Sequence, residues 1–418
     1  MFRLLAVVFA AAVVLIPVPA PALPSPPAAP YIVSLKTDAG DPATVAAEQA
    51  EALGFTVRLV YQSALTGYAA DLTPADLAAL RADPRVASVE ADRPVSASGQ
   101  IVPDGVERIQ ANISSTAAID GVDTPRLDVN VAVLDTGIDL THPDLNVVGG
   151  ADCAKGRGYG DRFGHGTHIA GIIGARDDGV GVVGVAPGVR LWAVRVLDEQ
   201  GQGTLRELLC GVDWVTSTRT DSDPTNDIQV ANLSLGGAGG DDGHCGRVDN
   251  DFLHQAICRS VAAGVTYVVA AGNGSEDAAG YSPASYDEVI TVSALADSDG
   301  RSGSLGGSPG CRADEDDTLA NFSNFGADVD LIAPGVCILS TAPKQSVAFG
   351  RTNGYGVLSG TSFAAPHVAG AAALYLARNP GASPAAVRNA LVAAGTFDWD
   401  NSEDPDGVKE PLVDVEGF

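Results

Sequence analysis

Six apolar runs, "VNVAVLD", "RLWAVRVL", "IQVANLSL", "VTYVVAAG", "VITVSAL" and "VDLIAPG", recur between residues 129 and 335 with no in-and-out alternation. Strands apolar on both faces need cover on both sides. Helical patterns near 165–175, 204–217, 250–263, 362–378 and 384–394 are spaced to supply it. The chain therefore reads as α/β, a three-layer fold around a mostly parallel sheet, with chemistry expected at the carboxyl ends of the strands.

A second, smaller unit precedes this one. "YIVSLK" reads as a strand and "DPATVAAEQAEALG" as a helix capped by Asp41 with Pro42 in its first turn. A strand pair, "TVRLVYQS" and "GYAADL", follows; then Thr73-Pro74-Ala75-Asp76 opens a helix and "RVASVEAD" closes the unit as a strand. The βαββαβ order predicts a ferredoxin-like α+β module, small enough to be marginal alone. Ahead of it, Arg3, an apolar run and Ala20-Pro21-Ala22 form an export-signal pattern over residues 1–22. That run is too short to favour a membrane span, and no later segment suggests one for the mature form. The expected organisation is a signal peptide at 1–22, a linker and small module at 23–96, and the large domain at 97–418. A module placed directly behind a signal peptide reads as a propeptide, and the mature protein as secreted and extracellular.

Cys153, Cys210, Cys245, Cys258, Cys311 and Cys337 all fall in the large domain, and an exported protein meets oxidising conditions. Three disulfides are expected. Many connectivities are open; short loops favour Cys245 with Cys258 and Cys311 with Cys337, leaving Cys153 for Cys210. The formal net charge of −27 repels phosphate backbones, which argues against nucleic acid as a partner.

Four residues sit where such a fold gathers chemistry. Asp135 ends the run "VAVLD"; His165 stands between glycines at a helix start in "RFGHGTHIAGIIGA"; Asn273 follows the strand "VVAAG"; Ser362 opens the helix in "LSGTSFAAPHVAG". Glycines inside the His165 helix, each costing about 1 kcal/mol relative to alanine, imply close backbone approach. Serine attack on an amide needs a base, an acid to orient it, and donors for the oxyanion. His165, Asp135 and Asn273 fill those parts around Ser362.

The motifs "VLDTGID", "GHGTHIAG", "AAGN" and "GTSFAAPHVAG", in the order Asp, His, Ser, resemble those of the subtilases. "SLGG", "YSPAS" and "FSNFG" bring the likeness nearest the proteinase-K-like branch. The resemblance spans roughly 100 to 395 and implies a subtilisin-like serine endopeptidase acting on polypeptides, with no catalytic cofactor. It makes the small module an inhibitor-type propeptide, which acts as intramolecular chaperone and inhibitor and is removed by self-cleavage. It implies that the segments holding Gly201 and Gly203, and Ser234, Leu235 and Gly236, flank an extended substrate by strand addition. Ala270, Ala271 and Gly272 would complete the first specificity pocket with Tyr281 near its base. No charge is expected in that pocket, so apolar or aromatic P1 residues should fit. By the same likeness, Asp330 and the carbonyls of Asp287 and Val289 are candidate ligands for a structural calcium ion. The acidic tail (Asp398, Asp400, Glu403, Asp404, Asp406) reads as solvated surface, and the protein as a monomer.

A zinc hydrolase built on His142, His165 and His168 fails on spacing, for there is no H-E-x-x-H. Ser362 has one ordinary competing role, as a helix cap. Pro366 lacks an N–H and must lie near the first turn, so the helix begins close to Ser362. His367, five residues on, faces about 140° away around the helix. The distant His165 is the better base, and the expectation is that the Ser362 hydroxyl is left free to attack.

Overall fold

The computed structural model describes residues 28–92, 99–124, 127–154, 156 and 158–418. The leader pattern at 1–22 and most of the expected processing region near 94–101 lie outside the described residues. The chain divides into a smaller unit ending at Asp92 and a larger one from residue 93 onward.

The smaller unit comprises β1 (Ala29–Leu35), α1 (Pro42–Leu53), β2 (Thr56–Tyr61), β3 (Gly67–Leu72), α2 (Pro74–Ala82) and β4 (Val86–Ala91). Its antiparallel sheet runs β2-β3-β1-β4, the ferredoxin-like order. The helix starts follow from their caps. Asp41 accepts the Thr44 N–H at 2.9 Å, and Thr73 with Asp76 forms a capping box ahead of α2. Along β1, Tyr31, Val33 and Leu35 point inward while their neighbours are half exposed, as a one-faced sheet requires.

The larger unit begins with α3 (Asp104–Arg108), β5 (Asn130–Asp135), β6 (Val147–Asp152), α4 (His165–Gly174), β7 (Arg190–Arg195) and α5 (Leu205–Thr218). Next come β8 (Val230–Leu233), β9 (Gly237–Ala238), α6 (Phe252–Ala262), β10 (Thr266–Ala270), β11 (Tyr281–Ser282) and β12 (Ile290–Ala296). It closes with β13 (Thr318–Leu319), β14 (Leu331–Pro334), β15 (Ile338–Thr341), α7 (Thr361–Arg378) and α8 (Pro384–Ala394). The main sheet is ordered β13-β12-β10-β8-β5-β7-β6, with β14 also on β12. Every pairing in it is parallel except β12 with β13.

The absence of alternation in the apolar runs has a direct structural cause. Val131 and Val133 of β5 pack into the core beneath α4 and α7, with Ile169, Ile173 and Val368. Ala132 and Leu134 of the same strand pack oppositely, with Val212, Val215 and Ile257 of α5 and α6. Each central strand thus feeds two cores, and the three layers follow. The edge strand β6 is invisible as an apolar run because Gly149 and Gly150 interrupt it. A Cβ on Gly149 would lie 2.4 Å from the Trp192 ring, so the close approach of β7 demands glycine there.

The cysteines pair as Cys153–Cys210, Cys245–Cys258 and Cys311–Cys337. In the acidic tail Asp398, Asp400, Glu403 and Asp406 are exposed, as expected, but Asp404 departs from its expected solvated state. Trp399 and Leu412 pack on Leu295, Leu319 and Ile332, and Asp404 and Glu410 are buried with them. Apolar anchors on either side of the charges pull that segment onto the sheet edge.

Candidate active site

Asp135 ends β5 with a fully buried side chain, and both its carboxylate oxygens lie 2.9 Å from His165 Nδ1. Its Oδ1 also accepts the Thr136 N–H at 2.7 Å. His165 opens α4 after Gly164, whose φ of 112° suits glycine. A Cβ on Gly166 would fall 2.1 Å from the Gly137 carbonyl, so α4 rests directly on the turn that follows Asp135. The two motif glycines that flank His165 therefore let the helix bring it onto the end of β5.

Asp161 ties this corner together, and it carried no role in the sequence reading. It accepts the Phe163 and Gly164 N–H groups at 2.9 and 2.8 Å, the Thr167 N–H at 3.0 Å and the Thr136 hydroxyl at 2.9 Å. Thr136 Oγ1 in turn accepts the Gly166 N–H at 3.0 Å. Burial is the largest influence on His165 and opposes its protonation, but the charge and hydrogen bond of Asp135 outweigh it. The imidazole pKa is held above its ordinary value.

Ser362 is the second residue of α7, behind an N-cap at Gly360 that has no side chain to cap the helix. Its Oγ donates to the Ser234 carbonyl at 3.2 Å, while Ser234 Oγ donates back to the Ser362 carbonyl at 2.7 Å. The hydroxyl is thus committed neither to the N–H groups of Ala364 and Ala365 nor, in this rotamer, to His165. Its neighbours bridge the other two parts of the site. The Phe363 ring meets the His165 ring edge-on at 5.2 Å, and Thr361 holds Asn273.

Asn273 Oδ1 accepts both the Thr361 N–H at 2.8 Å and the Thr361 hydroxyl at 3.0 Å. With the oxygen so occupied, the Nδ2 donor has no hydrogen-bond partner among the described residues and sits on an exposed residue. Thr361 Oγ1 also accepts the Gly272 N–H at 3.1 Å, and Asn324 braces the same loop through Ala271 and Gly274. Neither Thr361 nor Asn324 was singled out from sequence, although both lie inside quoted motifs.

The remaining histidines near the site are engaged elsewhere. His367 Nδ1 donates to the Phe363 carbonyl at 2.8 Å, and burial pulls its pKa down to about 4. Burial likewise brings His168 to about 3, and His142 Nε2 bonds the Gly354 carbonyl at 2.8 Å. Among the described residues, no cluster of potential metal ligands contains His142, His165 or His168.

A cleft of about 760 Å³ runs away from His165. Gly201, Gly203, Ser234, Leu235, Gly236 and Tyr281 line it, joined by Leu205, Leu208 and Leu253. One expectation is corrected here. Ala270 and Ala271 do not line the cleft: they are 3% and 0% exposed, as the end of an interior strand requires. Gly272 is also interior, with Asn324 and Tyr281 filling the space where its Cβ would stand. The Asp251 carboxylate also belongs to the cleft wall, beside Tyr286. That carboxylate is fully engaged, capping α6 through the Leu253 and His254 N–H groups and accepting the Tyr286 hydroxyl.

The candidate calcium ligands fail a direct test of fit. Arg388 of α8 donates to Asp330 Oδ1 and to the Asp287 carbonyl, each at 2.7 Å. The second Asp330 oxygen accepts the Thr291 N–H at 3.0 Å. A guanidinium fork occupies the oxygens that a cation would need, so Asp287, Val289 and Asp330 do not form a metal site.

Comparison with known proteins bears on the whole chain. The sequence model of the Subtilase family matches residues 127–408, and that of Peptidase inhibitor I9 matches residues 30–98. Subtilisin DY of Bacillus licheniformis is 39% identical over 302 residues, covering 71% of this chain and 92% of that protein. Subtilisin E of Bacillus subtilis (strain 168) is 38% identical over 324 residues, 76% of this chain and 72% of that one. Among solved structures, a cold adapted subtilisin-like serine proteinase matches with a TM-score of 0.57 and 33% identity, over 75% of this chain and 98% of that one.

Proposed function

Because this chain belongs to the subtilase family, and is a subtilisin-like serine endopeptidase carrying an inhibitor I9 domain, we propose that Ser362, His165, Asp135 and Asn273 carry its chemistry. The observation that most supports this is the Asp135 carboxylate held at 2.9 Å from His165 Nδ1, which leaves Nε2 as the basic nitrogen on the cleft side.

Ser362 Oγ turns from the Ser234 carbonyl to His165 as a peptide carbonyl enters. His165 takes the hydroxyl proton while Oγ attacks, and the buried Asp135 stabilises the imidazolium that forms. The Asn273 Nδ2 and the Ser362 N–H receive the charge on the carbonyl oxygen. Collapse of the tetrahedral species gives an acyl-enzyme; His165 returns its proton to the leaving amine, and water completes hydrolysis. The helix start at Ser362 places the positive end of a dipole at the developing oxyanion.

Polypeptide substrates lie along the edges near Gly201–Gly203 and Ser234–Gly236, with main-chain pairing giving affinity. Apolar or aromatic P1 side chains suit the Tyr281 side of the cleft, and the leucine-lined side takes a further apolar residue. The protein is exported behind residues 1–22, folds with residues 23–96 as linker and propeptide, and cleaves itself near residues 94–101 to release the domain at 97–418.

A fluorophosphonate probe followed by peptide mapping tests the assignment. Label on Ser362, with loss of both label and peptidase activity in His165→Ala, is expected. Active protein that stays unlabelled at Ser362 refutes it.

A further inference from the structure

Between β12 and β13 the chain makes a long excursion, residues 297–317, far from the chemistry in sequence and rich in aspartate and glycine. Asp297, Asp299 and Asp316 are each only 6% exposed, and each brings an oxygen within 4.8 Å of the others. Two of the three are already oriented by the loop. Asp297 Oδ1 accepts the Gly300 N–H at 2.7 Å, and Asp316 accepts the Ser298 and Gly306 N–H groups at 2.8 and 2.7 Å. Asp299 differs: its Oδ1 accepts the Arg301 N–H at 3.0 Å, but its Oδ2 is buried with no partner. A buried carboxylate oxygen left without a donor is costly, and native structures rarely keep one.

Nearby charges do not remove the imbalance. Arg108, itself buried, pairs with Asp297 and Asp317 at 2.9 Å, and Arg301 acts on Asp299. Asp297, Asp299, Asp316, Asp317 and Asp398 outnumber Arg108 and Arg301 here, an excess of negative charge that a divalent cation would offset. Carboxylate oxygens that accept one N–H keep a lone pair for a second partner. Calcium binds hard oxygens at about 2.4 Å, so ligands on opposite sides of one ion stand about 4.8 Å apart.

We propose that Asp297, Asp299 and Asp316 form a calcium site that pins the 297–317 excursion to the end of β12. The site is separate from the Asp330 region, where an arginine takes the ion's place.

The test uses the full chain in a Ser362→Ala background, to suppress self-digestion, stripped with chelator and titrated with calcium chloride. Bound calcium is counted by equilibrium dialysis. Asp299→Asn should bind one calcium fewer per chain than its parent, and should lose part of the rise in melting temperature that calcium produces in the parent. Without calcium the variant should melt no lower than the parent, since it lacks one of the crowded charges. An unchanged calcium count in Asp299→Asn overturns the proposal and leaves protons as the balancing charge. Should that variant not fold, terbium soaked into crystals of the parent decides: an anomalous peak among the three carboxylates supports the site, and no peak there refutes it.

Discussion

Thr361→Val is the sharpest probe of the oxyanion donor, because it changes one hydroxyl and almost no volume. Thr361 is fully buried, and its Oγ1 makes two bonds, one to Asn273 Oδ1 and one from the Gly272 N–H. The backbone bond from Thr361 to Asn273, at 2.8 Å, survives the substitution. Asn273 thus keeps one of its two anchors. Loss of the donor altogether costs about 2.7 to 4 kcal/mol, the established figure for the corresponding asparagine in subtilisin, and this sets the ceiling. Loss of one neutral hydrogen bond is about 1 kcal/mol, so kcat should fall about fivefold with KM nearly unchanged. The Gly272 N–H, now buried without an acceptor, should lower unfolding stability by about 1 to 3 kcal/mol. Steady-state kinetics on a chromogenic peptide, run as a double-mutant cycle with Asn273→Ala, isolates the effect. In the Asn273→Ala background Thr361→Val should be silent for kcat, and Thr361→Ser should change kcat little in either background. A kcat loss that is equally large without Asn273 would show that Thr361 acts by another route, and the reasoning would fail.

Three further outcomes follow from the same structure. His165 must be neutral to accept a proton and its pKa is raised, so kcat/KM should fall as pH drops through a value above about 6.5; Asp135→Asn should move that limb to lower pH and cut kcat by about 10⁴. Arg388→Ala leaves the nearly buried Asp330 carboxylate unpaired; since the Arg388 side chain is 37% exposed, a loss of about 1 to 3 kcal/mol is expected in urea unfolding, with Arg388→Lys intermediate. Replacing Cys153 and Cys210 by serine opens a loop of 57 residues and should cost about 4 kcal/mol, against about 3 for Cys245 and Cys258, which span 13; chemical denaturation of the two variants gives the order.

Much of this molecule was readable before any coordinates. The apolar runs located the central strands, and the caps at Asp41 and Thr73 located both helices of the small unit. Asp135 and His165 were legible because each sits in a local motif whose glycines have one physical use, close approach of backbones. The residues that position them were harder to find. Asp161 works through hydrogen bonds to its neighbours, and an aspartate behind a glycine is common in any turn. Thr361 is hidden by standing beside Ser362. The calcium expectation at Asp330 failed because nothing near that residue in sequence announces Arg388, 58 positions away. Asp404 was misread for a similar reason: charge density suggested solvent, while Trp399 and Leu412 determined its burial.

The sequence alone determined the layered α/β fold and the small leading unit, and it singled out the side chains proposed to react. These rest on periodicity and on short motifs, which are properties of neighbouring residues. Only the tertiary structure decided which oxygens already have partners. It set Arg388 between Asp330 and Asp287, turned Asn273 by fixing its oxygen on Thr361, and left an oxygen of Asp299 unanswered among buried carboxylates. Whether a polar atom is satisfied depends on groups far apart along the chain and only a few ångströms apart in space, and no local pattern records that.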